Sequence, residues 1–225
     1  MKFCPDRLWH NSTARKLLVV VPGTTGIGFP TKKGFYHIAS SLWTSNISIY
    51  FANTCGQDGR RGVLDMTRWA NGVIAEASEL MASYTFDRID FLGTCLGGPI
   101  AARSHQSISS GKLFLWECAP IYTDAHKQDF VCYCDLNGIK TSKRFWDHLD
   151  NLEDVLPADS LATFYHGSSS QLPFNQADLN RAKKQYPKWR FKEFSDAAHG
   201  LVRSSSILPL SNLCQDLIAT IHQNK

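Results

Sequence analysis

The sequence lacks the features that mark several large classes of protein. No stretch approaches the roughly 18 consecutive apolar residues that a membrane-spanning helix requires. The first residues, MKFCPDRLWHNSTARK, contain no apolar run like the one at the centre of a secretory signal peptide. Internal repeats and low-complexity tracts are also missing. We therefore expect a cytoplasmic protein without a membrane span.

Regularly spaced cysteines and a large excess of charge of one sign are also missing. The seven cysteines among 225 residues are odd in number and lack the dense spacing of a disulfide scaffold, which favours a reducing compartment. The net charge of +4 is too small and too scattered to indicate nucleic-acid binding. The densest basic stretch, RAKKQYPKWRFK (181–192), fits a solvated surface. Its alternative interpretation is a docking patch for an anionic partner, such as a carrier protein or a phosphate-bearing acyl donor.

What the sequence does contain is an alternation of short apolar runs with longer helical patterns. Strands are predicted at 17–21 (LLVVV), 47–51, 88–92, 112–116, 161–165 and, nearer an edge, 189–194. Helices are predicted at 65–84, 96–106 and 208–223, where apolar residues recur at helical spacing. This alternation predicts an α/β fold with a mostly parallel central sheet and helices on both faces. With 43% hydrophobic residues, the chain is expected to form a single domain over 1–225.

One segment interrupts the alternation. Residues 119–158 separate the fourth and fifth predicted strands by about forty residues, far more than an ordinary connection. Within it, 141–156 has the pattern of an amphipathic helix. We interpret the insertion as a small lid over the strand ends, in which Phe145 and Trp146 line an apolar acyl-binding pocket.

The main candidate for chemistry is Cys95, in the stretch FLGTCLGGPIAAR (91–103). A nucleophile on a tight strand-to-helix turn needs very small neighbours two residues before and after it, and Gly93 and Gly97 meet that need. The turn also puts the sulfur at the amino end of the following helix, which favours the thiolate. The backbone N–H of Leu96 would then point to where an oxyanion develops. The alternative is a structural cysteine packed in a glycine turn.

The run Gly-Thr-Cys-Leu-Gly-Gly (93–98) resembles the nucleophile elbow of the α/β-hydrolase superfamily. Within that superfamily it is most similar to the cysteine elbow of dienelactone hydrolases, and it is also similar to that of polyhydroxyalkanoate synthases. The resemblance implies an α/β-hydrolase fold and a catalytic base after the last strand, where His199 stands. His166, at the end of the fifth strand, is the second choice for the base.

The loop PGTTGIGF (22–29) is similar to the oxyanion loop of the same superfamily, with proline in place of a histidine. Its glycines allow backbone N–H groups to face a ligand. The resemblance implies that the second oxyanion donor, beside Leu96, is Thr24 or else Thr25. The loop lacks the lysine and the glycine spacing of a phosphate-binding P-loop.

The acidic member of the predicted triad departs from the superfamily pattern. Ser170 stands where an aspartate is usual, and no carboxylate occurs between Tyr165 and Asp178. Some members carry the acid one strand earlier, which implies Glu117, at the end of the fourth strand, as the residue that orients His199. The remaining candidates, in order of preference, are Asp124 and then Asp154 or Asp159.

His126, Cys132 and Cys134 lie close together in the sequence and are candidate zinc ligands. The group lacks the second, spaced ligand pair of a structural zinc site. We therefore expect neither a metal nor a cofactor.

The pattern as a whole predicts an acyl-transfer enzyme of the esterase, thioesterase or lactonase type that forms a thioester on Cys95. Since amines and thiols attack a thioester as readily as water does, the alternative is an acyltransferase or a cyclising, off-loading enzyme of a biosynthetic pathway. A third interpretation is a non-catalytic binding protein with the same fold. We expect the partner to be a small-molecule acyl substrate, free or joined to a carrier protein or CoA, rather than a nucleic acid or a membrane. The oligomeric state does not follow from the sequence.

Overall fold

The computed structural model of the chain describes residues 5–23, 32–53, 63–108, 111–118, 127–128, 131–132, 134, 140–150, 156, 159–168, 176–195, 197 and 208–223. Within these ranges the strands are β1 (Leu8–Trp9), β2 (Lys16–Val21), β3 (Ser48–Phe51), β4 (Arg88–Thr94), β5 (Leu113–Trp116), β6 (Thr163–Gly167) and β7 (Arg190–Phe194). They form one sheet in the order β1-β3-β2-β4-β5-β6-β7. β1 is antiparallel to β3, and all other neighbouring strands are parallel.

The helices whose bounds the structure describes are α1 (Lys32–Thr44), α2 (Met66–Ser83), α3 (Gly97–Ile108), α4 (Lys143–Asp150), α5 (Gln176–Gln185) and α6 (Leu208–His222), and a 3-10 turn spans Pro5–Arg7. In the described part of the chain, no helix combines the length and the apolar character needed to cross a bilayer.

The inner strand β2 shows why this sequence builds a sheet with two covered faces. Its apolar run is fully buried, because alternate side chains of a strand point to opposite faces. Leu17, Val19 and Val21 join the core beneath α2, α3 and α5. Leu18 and Val20 join the core on the other face, beneath α1 and α6. Each face therefore has its own hydrophobic core.

The predicted architecture is confirmed: all six predicted strands are present, and they form a mostly parallel sheet with helices on both faces. The predicted helices at 65–84, 96–106 and 208–223 correspond to α2, α3 and α6. The sequence interpretation missed β1, α1 and α5. Most of the predicted lid, 119–158, lies outside the described residues, so the lid and the domain boundaries stay predictions.

The described end of that insertion packs against the start of α2. The backbone of Leu64 accepts from Ser142 N at 3.0 Å and donates to Lys140 O at 2.7 Å. The Ser142 hydroxyl donates to Asp65 Oδ2 at 2.9 Å, and Asp65 also caps α2 by accepting from Arg68 N. These bonds tie the amino ends of α4 and α2 together.

Side chains at the amino ends of the strands hold the carboxyl end of α6. Lys16 Nζ and Arg88 Nη2 donate to the carbonyl oxygen of Ile221 at 3.1 and 2.5 Å. Arg88 also pairs with the buried carboxylate of Asp90 at 2.9 Å. Because the last carbonyls of a helix have no partner within the helix, these cations cap α6. The carboxyl end of α6 is therefore anchored at the amino ends of the strands, whereas Cys95 lies at their carboxyl ends.

Candidate active site

Cys95 occupies a strained turn between β4 and α3. Its φ of 51° lies in the left-handed region, which residues with a side chain rarely adopt. The backbone N–H of Cys95 donates to Trp116 O at 3.1 Å, and its carbonyl accepts from Gly98 N at 3.1 Å. These two bonds hold the turn, and the cysteine itself is half-buried. The strand-to-helix turn therefore lies at the predicted residue.

The flanking glycines are required by close approach of the backbone. A Cβ on Gly93 would lie 2.5 Å from Gly98 Cα and 2.6 Å from Gly97 O. A Cβ on Gly97 would lie 2.2 Å from Val21 O. No side chain fits at either position without moving the backbone. The spacing of glycines in the sequence is thus explained by packing within the elbow and against β2.

The end of β2 lies directly against Cys95. Gly23 N donates to the hydroxyl of Thr94 at 3.1 Å. A Cβ on Gly23 would lie 2.8 Å from Cys95 Cβ and 3.5 Å from Cys95 Sγ. Gly23 opens the loop that was predicted to form part of an oxyanion hole. The predicted donors of that loop, Thr24 and Thr25, lie outside the described residues. Leu96, the other predicted donor, is described and its side chain is buried.

Glu117 follows β5 and, like Cys95, has a strained, left-handed backbone conformation. Its φ is 50°, and the residue is only 1% exposed. Its backbone N–H donates to Tyr165 O at 2.9 Å. One carboxylate oxygen, Oε1, accepts a short hydrogen bond from Gly167 N, and the other, Oε2, lies 3.6 Å from His166 Nδ1. The sequence interpretation named both Glu117 and His166 but did not foresee that they face each other.

Cys95, Glu117 and His166 follow matched residues of three neighbouring strands. Thr94 pairs with Trp116 of β5, and Trp116 pairs with Tyr165 of β6. The residue that follows each of these three positions has a side chain that can react or bind a proton. Because these strands are parallel, their carboxyl ends meet at one edge of the sheet, where ligands of open α/β sheets bind.

The predicted base, His199, lies outside the described residues, as do Asp124, Asp154 and Ser170. The last described residue before His199 is Ala197, which is completely buried. A Cβ on Gly167 would lie 2.3 Å from Ala197 O. Ala197 therefore packs on the residue whose N–H holds the Glu117 carboxylate.

The other predicted site residues lie elsewhere. Phe145 is fully buried in the core beneath α2 and α3, and Trp146 packs against it, its indole N–H donating to Thr141 Oγ1 at 3.1 Å. These are core contacts, and the predicted role in lining an acyl pocket stays a prediction. Asp159 lines a cavity of about 600 Å³ with Lys112 and Leu113 at the amino ends of the strands, far from the elbow.

Two thiols near the elbow differ in accessibility. Cys118 is 2% exposed, and its Sγ lies 3.8 Å from Gly93 O. Burial raises the pKa of the Cys118 thiol well above its usual range, and the neighbouring charges of Cys95 and Glu117 raise it further. Cys118 is therefore held as the neutral thiol, and Cys95 is the accessible sulfur of the pair.

No group of three or more histidine, cysteine or acidic side chains is arranged to bind a metal ion among the residues that the structure describes. Of the three candidate zinc ligands, Cys132 is exposed, Cys134 is buried and His126 lies outside the described ranges.

Solved structures with the same architecture identify the fold. An α/β serine hydrolase homologue from Coxiella burnetii is 13% identical and aligns over 93% of this chain and 86% of its own, with a TM-score of 0.65. The fold of this chain is therefore the predicted α/β-hydrolase fold. Est1E from Butyrivibrio proteoclasticus with bound ferulic acid is 14% identical over 95% of this chain and 92% of its own, with a TM-score of 0.71.

A third similar structure is the thioesterase domain from the curacin biosynthetic pathway. It is 15% identical over 95% of this chain and 93% of its own, with a TM-score of 0.61. No family model and no curated protein sequence matches the chain. At these identities the likeness establishes the fold, whereas the chemistry depends on the residues of the site.

Proposed function

We propose that this protein is an acyl-transfer enzyme in which the thiolate of Cys95 attacks an ester, thioester or lactone carbonyl. The observation that carries the proposal is the strained, half-buried elbow at Cys95, with φ of 51° and Gly23 packed against its Cβ. Such strain persists only where the surrounding structure holds it, and it is typical of functional sites. A thioesterase domain and a serine hydrolase homologue share the fold, which supports acyl chemistry.

The proposed first step forms a thioester. The sulfur lone pair of Cys95 forms the C–S bond while the carbonyl π electrons move to oxygen, and the backbone N–H groups of Leu96 and of Thr24 or Thr25 stabilise that oxyanion. His199 accepts the thiol proton and returns it to the leaving group as the C–O or C–S bond of the substrate breaks. Water, deprotonated by His199, then attacks the thioester carbonyl, the C–S bond to Cys95 breaks, and His199 returns the proton to the sulfur as the acid is released.

We assign Glu117 as the carboxylate that orients His199 and stabilises its charged form. The support is its burial, its left-handed backbone and the contact of its Oε1 with Gly167 N, on which Ala197 packs two residues before His199. Asp124 remains the alternative acid.

The acyl group is proposed to come from a small molecule, either free or attached to a carrier protein or CoA. A thioester reacts with amines and thiols, so transfer or cyclisation competes with hydrolysis at the second step. The acceptor that gives the faster release of the acyl group from Cys95 defines the physiological reaction.

The test is intact-mass analysis of the protein after a short incubation with p-nitrophenyl acetate. We expect one acetyl adduct on the wild type, none on Cys95→Ala, and wild-type labelling on Cys132→Ala, which removes a more exposed thiol. Adduct decay is then measured with and without an added amine or thiol. Equal labelling of wild type and Cys95→Ala would refute the proposal and favour a binding protein.

A further inference from the structure

The proposed reaction gives Glu117 a role but leaves its buried neighbour, His166, without one. Glu117 and His166 are each 1% exposed, and Oε2 of the carboxylate lies 3.6 Å from Nδ1 of the imidazole. The other oxygen of Glu117 accepts from the N–H of Gly167, the next residue after His166. Two consecutive residues of β6 therefore contact the two oxygens of one carboxylate.

This arrangement fixes a side chain that would otherwise be costly to bury. A carboxylate removed from water is destabilising unless its oxygens find hydrogen-bond or charge partners. The backbone N–H of Gly167 satisfies one oxygen only. Nδ1 of the His166 imidazole lies 3.6 Å from the second oxygen. The pair thus determines which way each oxygen of Glu117 points.

The imidazole is itself held by regular structure rather than by a loop. His166 lies within β6, and its ring packs 6.4 Å, centroid to centroid, from the ring of Phe164. Phe164 is fully buried and stacks in turn on Trp189. A contact built on a strand and a packed aromatic cluster positions a functional group more accurately than a loop does.

We propose that His166 is a positioning residue, which holds the Glu117 carboxylate in the orientation that His199 requires. The role rests on the proposed function, since it assumes Glu117 as the acid. His166 does not contact the substrate, because it is 1% exposed. It acts through Glu117, so its removal should slow turnover without weakening substrate binding.

Two variants separate this role from simple packing. His166→Asn can present an amide nitrogen close to where Nδ1 lies, whereas His166→Phe keeps a ring beside Phe164 and removes the ring nitrogens. With p-nitrophenyl butyrate, we expect His166→Phe to lower kcat roughly 10- to 100-fold with KM within about twofold of wild type. His166→Asn should recover most of that loss. His105→Phe removes a histidine that contacts Gly111 O at the opposite edge of the sheet and should leave kcat unchanged.

A double-mutant cycle tests whether His166 acts through the acid. In a Glu117→Gln background, His166→Phe should lower kcat by no more than about twofold further. A wild-type kcat for His166→Phe, or a full loss that persists in the Glu117→Gln background, would overturn the positioning role. Absence of the acetyl adduct on wild-type Cys95 is a different result, since it removes the proposed function and this role with it.

Discussion

Gly97→Ala is expected to distort the elbow, because Gly97 packs directly against the end of β2. A Cβ at this position would lie 2.2 Å from Val21 O and 2.6 Å from Pro22 O. Both contacts are backbone atoms, so no side chain can rotate to make room. Either the amino end of α3 or the end of β2 must move, and both movements displace groups that flank Cys95.

The size of the effect follows from the overlap. Inserting a methyl group into a packed site lowers the free energy of unfolding by about 1–3 kcal/mol. For a chain of this length, each kcal/mol lowers Tm by roughly 2–4 °C, so we expect a loss of about 2–12 °C in a thermal unfolding scan. Turnover of p-nitrophenyl acetate should fall by on the order of 100-fold well below Tm, since a displacement near 1 Å has that effect on aligned groups.

Gly72→Ala is the matched control, since Gly72 lies in the interior of α2 and is only partly buried. Alanine in a helix interior is favoured over glycine by roughly 0.5–1 kcal/mol, so Tm should stay level or rise and kcat should not change. A Gly97→Ala protein with the Tm and kcat of wild type would refute the argument from close approach. An equal loss in Gly72→Ala would show that the assay responds to any change in the helices.

Two further predictions concern stability. Tyr165→Phe removes a buried hydroxyl that donates to Asp216 Oδ2 at 2.7 Å, and we expect urea unfolding to show a loss of about 1.5–3 kcal/mol; a loss under about 0.5 kcal/mol would contradict it. Burial raises the pKa of Asp90 in spite of its contacts with Lys112 N and Arg88. Its contribution to folding stability is therefore complete below the pKa of an unfolded aspartate, near 4, and is lost as the pH rises through the higher folded pKa. In urea unfolding at several pH values from 4 to 7, the free energy of unfolding should therefore fall less steeply with rising pH for Asp90→Asn than for the wild type. An equally steep fall in both proteins would disprove the assignment.

The elbow could be predicted from the sequence because its requirements are local. Gly93 and Gly97 are set by contacts within a few residues of Cys95 and by the neighbouring strand end. The buried run of β2 could be predicted for a similar reason, since continuous apolar residues indicate a strand covered on both faces. Such signals do not depend on which strand lies beside which.

The missed elements have weaker or shorter patterns. β1 has only two residues, too few to show any alternation. α5 buries only Asp178, Leu179 and Ala182 among its described residues, so it has almost no apolar stripe. α1 does carry apolar residues at helical spacing, with Phe35, Ile38, Ala39 and Leu42 buried, and that signal was available.

The contact of Glu117 with His166 could not be predicted, because it depends on the pairing of β5 with β6. The sequence shows two polar residues at two strand ends. Only the register, in which Trp116 faces Tyr165, brings them to the same level of the sheet. Pairing between strands distant in sequence has no local signature.

The same register places Cys95, the proposed nucleophile, near Glu117, the proposed acid. In the described part of the chain, Cys95 and Glu117 are two of three non-glycine residues with positive φ, and each directly follows a residue of the paired row Thr94–Trp116. A strand can end without a left-handed residue, so two left-handed residues at neighbouring strand ends indicate that both positions require this backbone conformation. Both backbone N–H groups continue the ladder, to Trp116 O and Tyr165 O, while the turn redirects the chain beyond them. The sheet itself therefore sets the relative position of thiol and carboxylate, and a shift of one residue in the register of β5 would separate them.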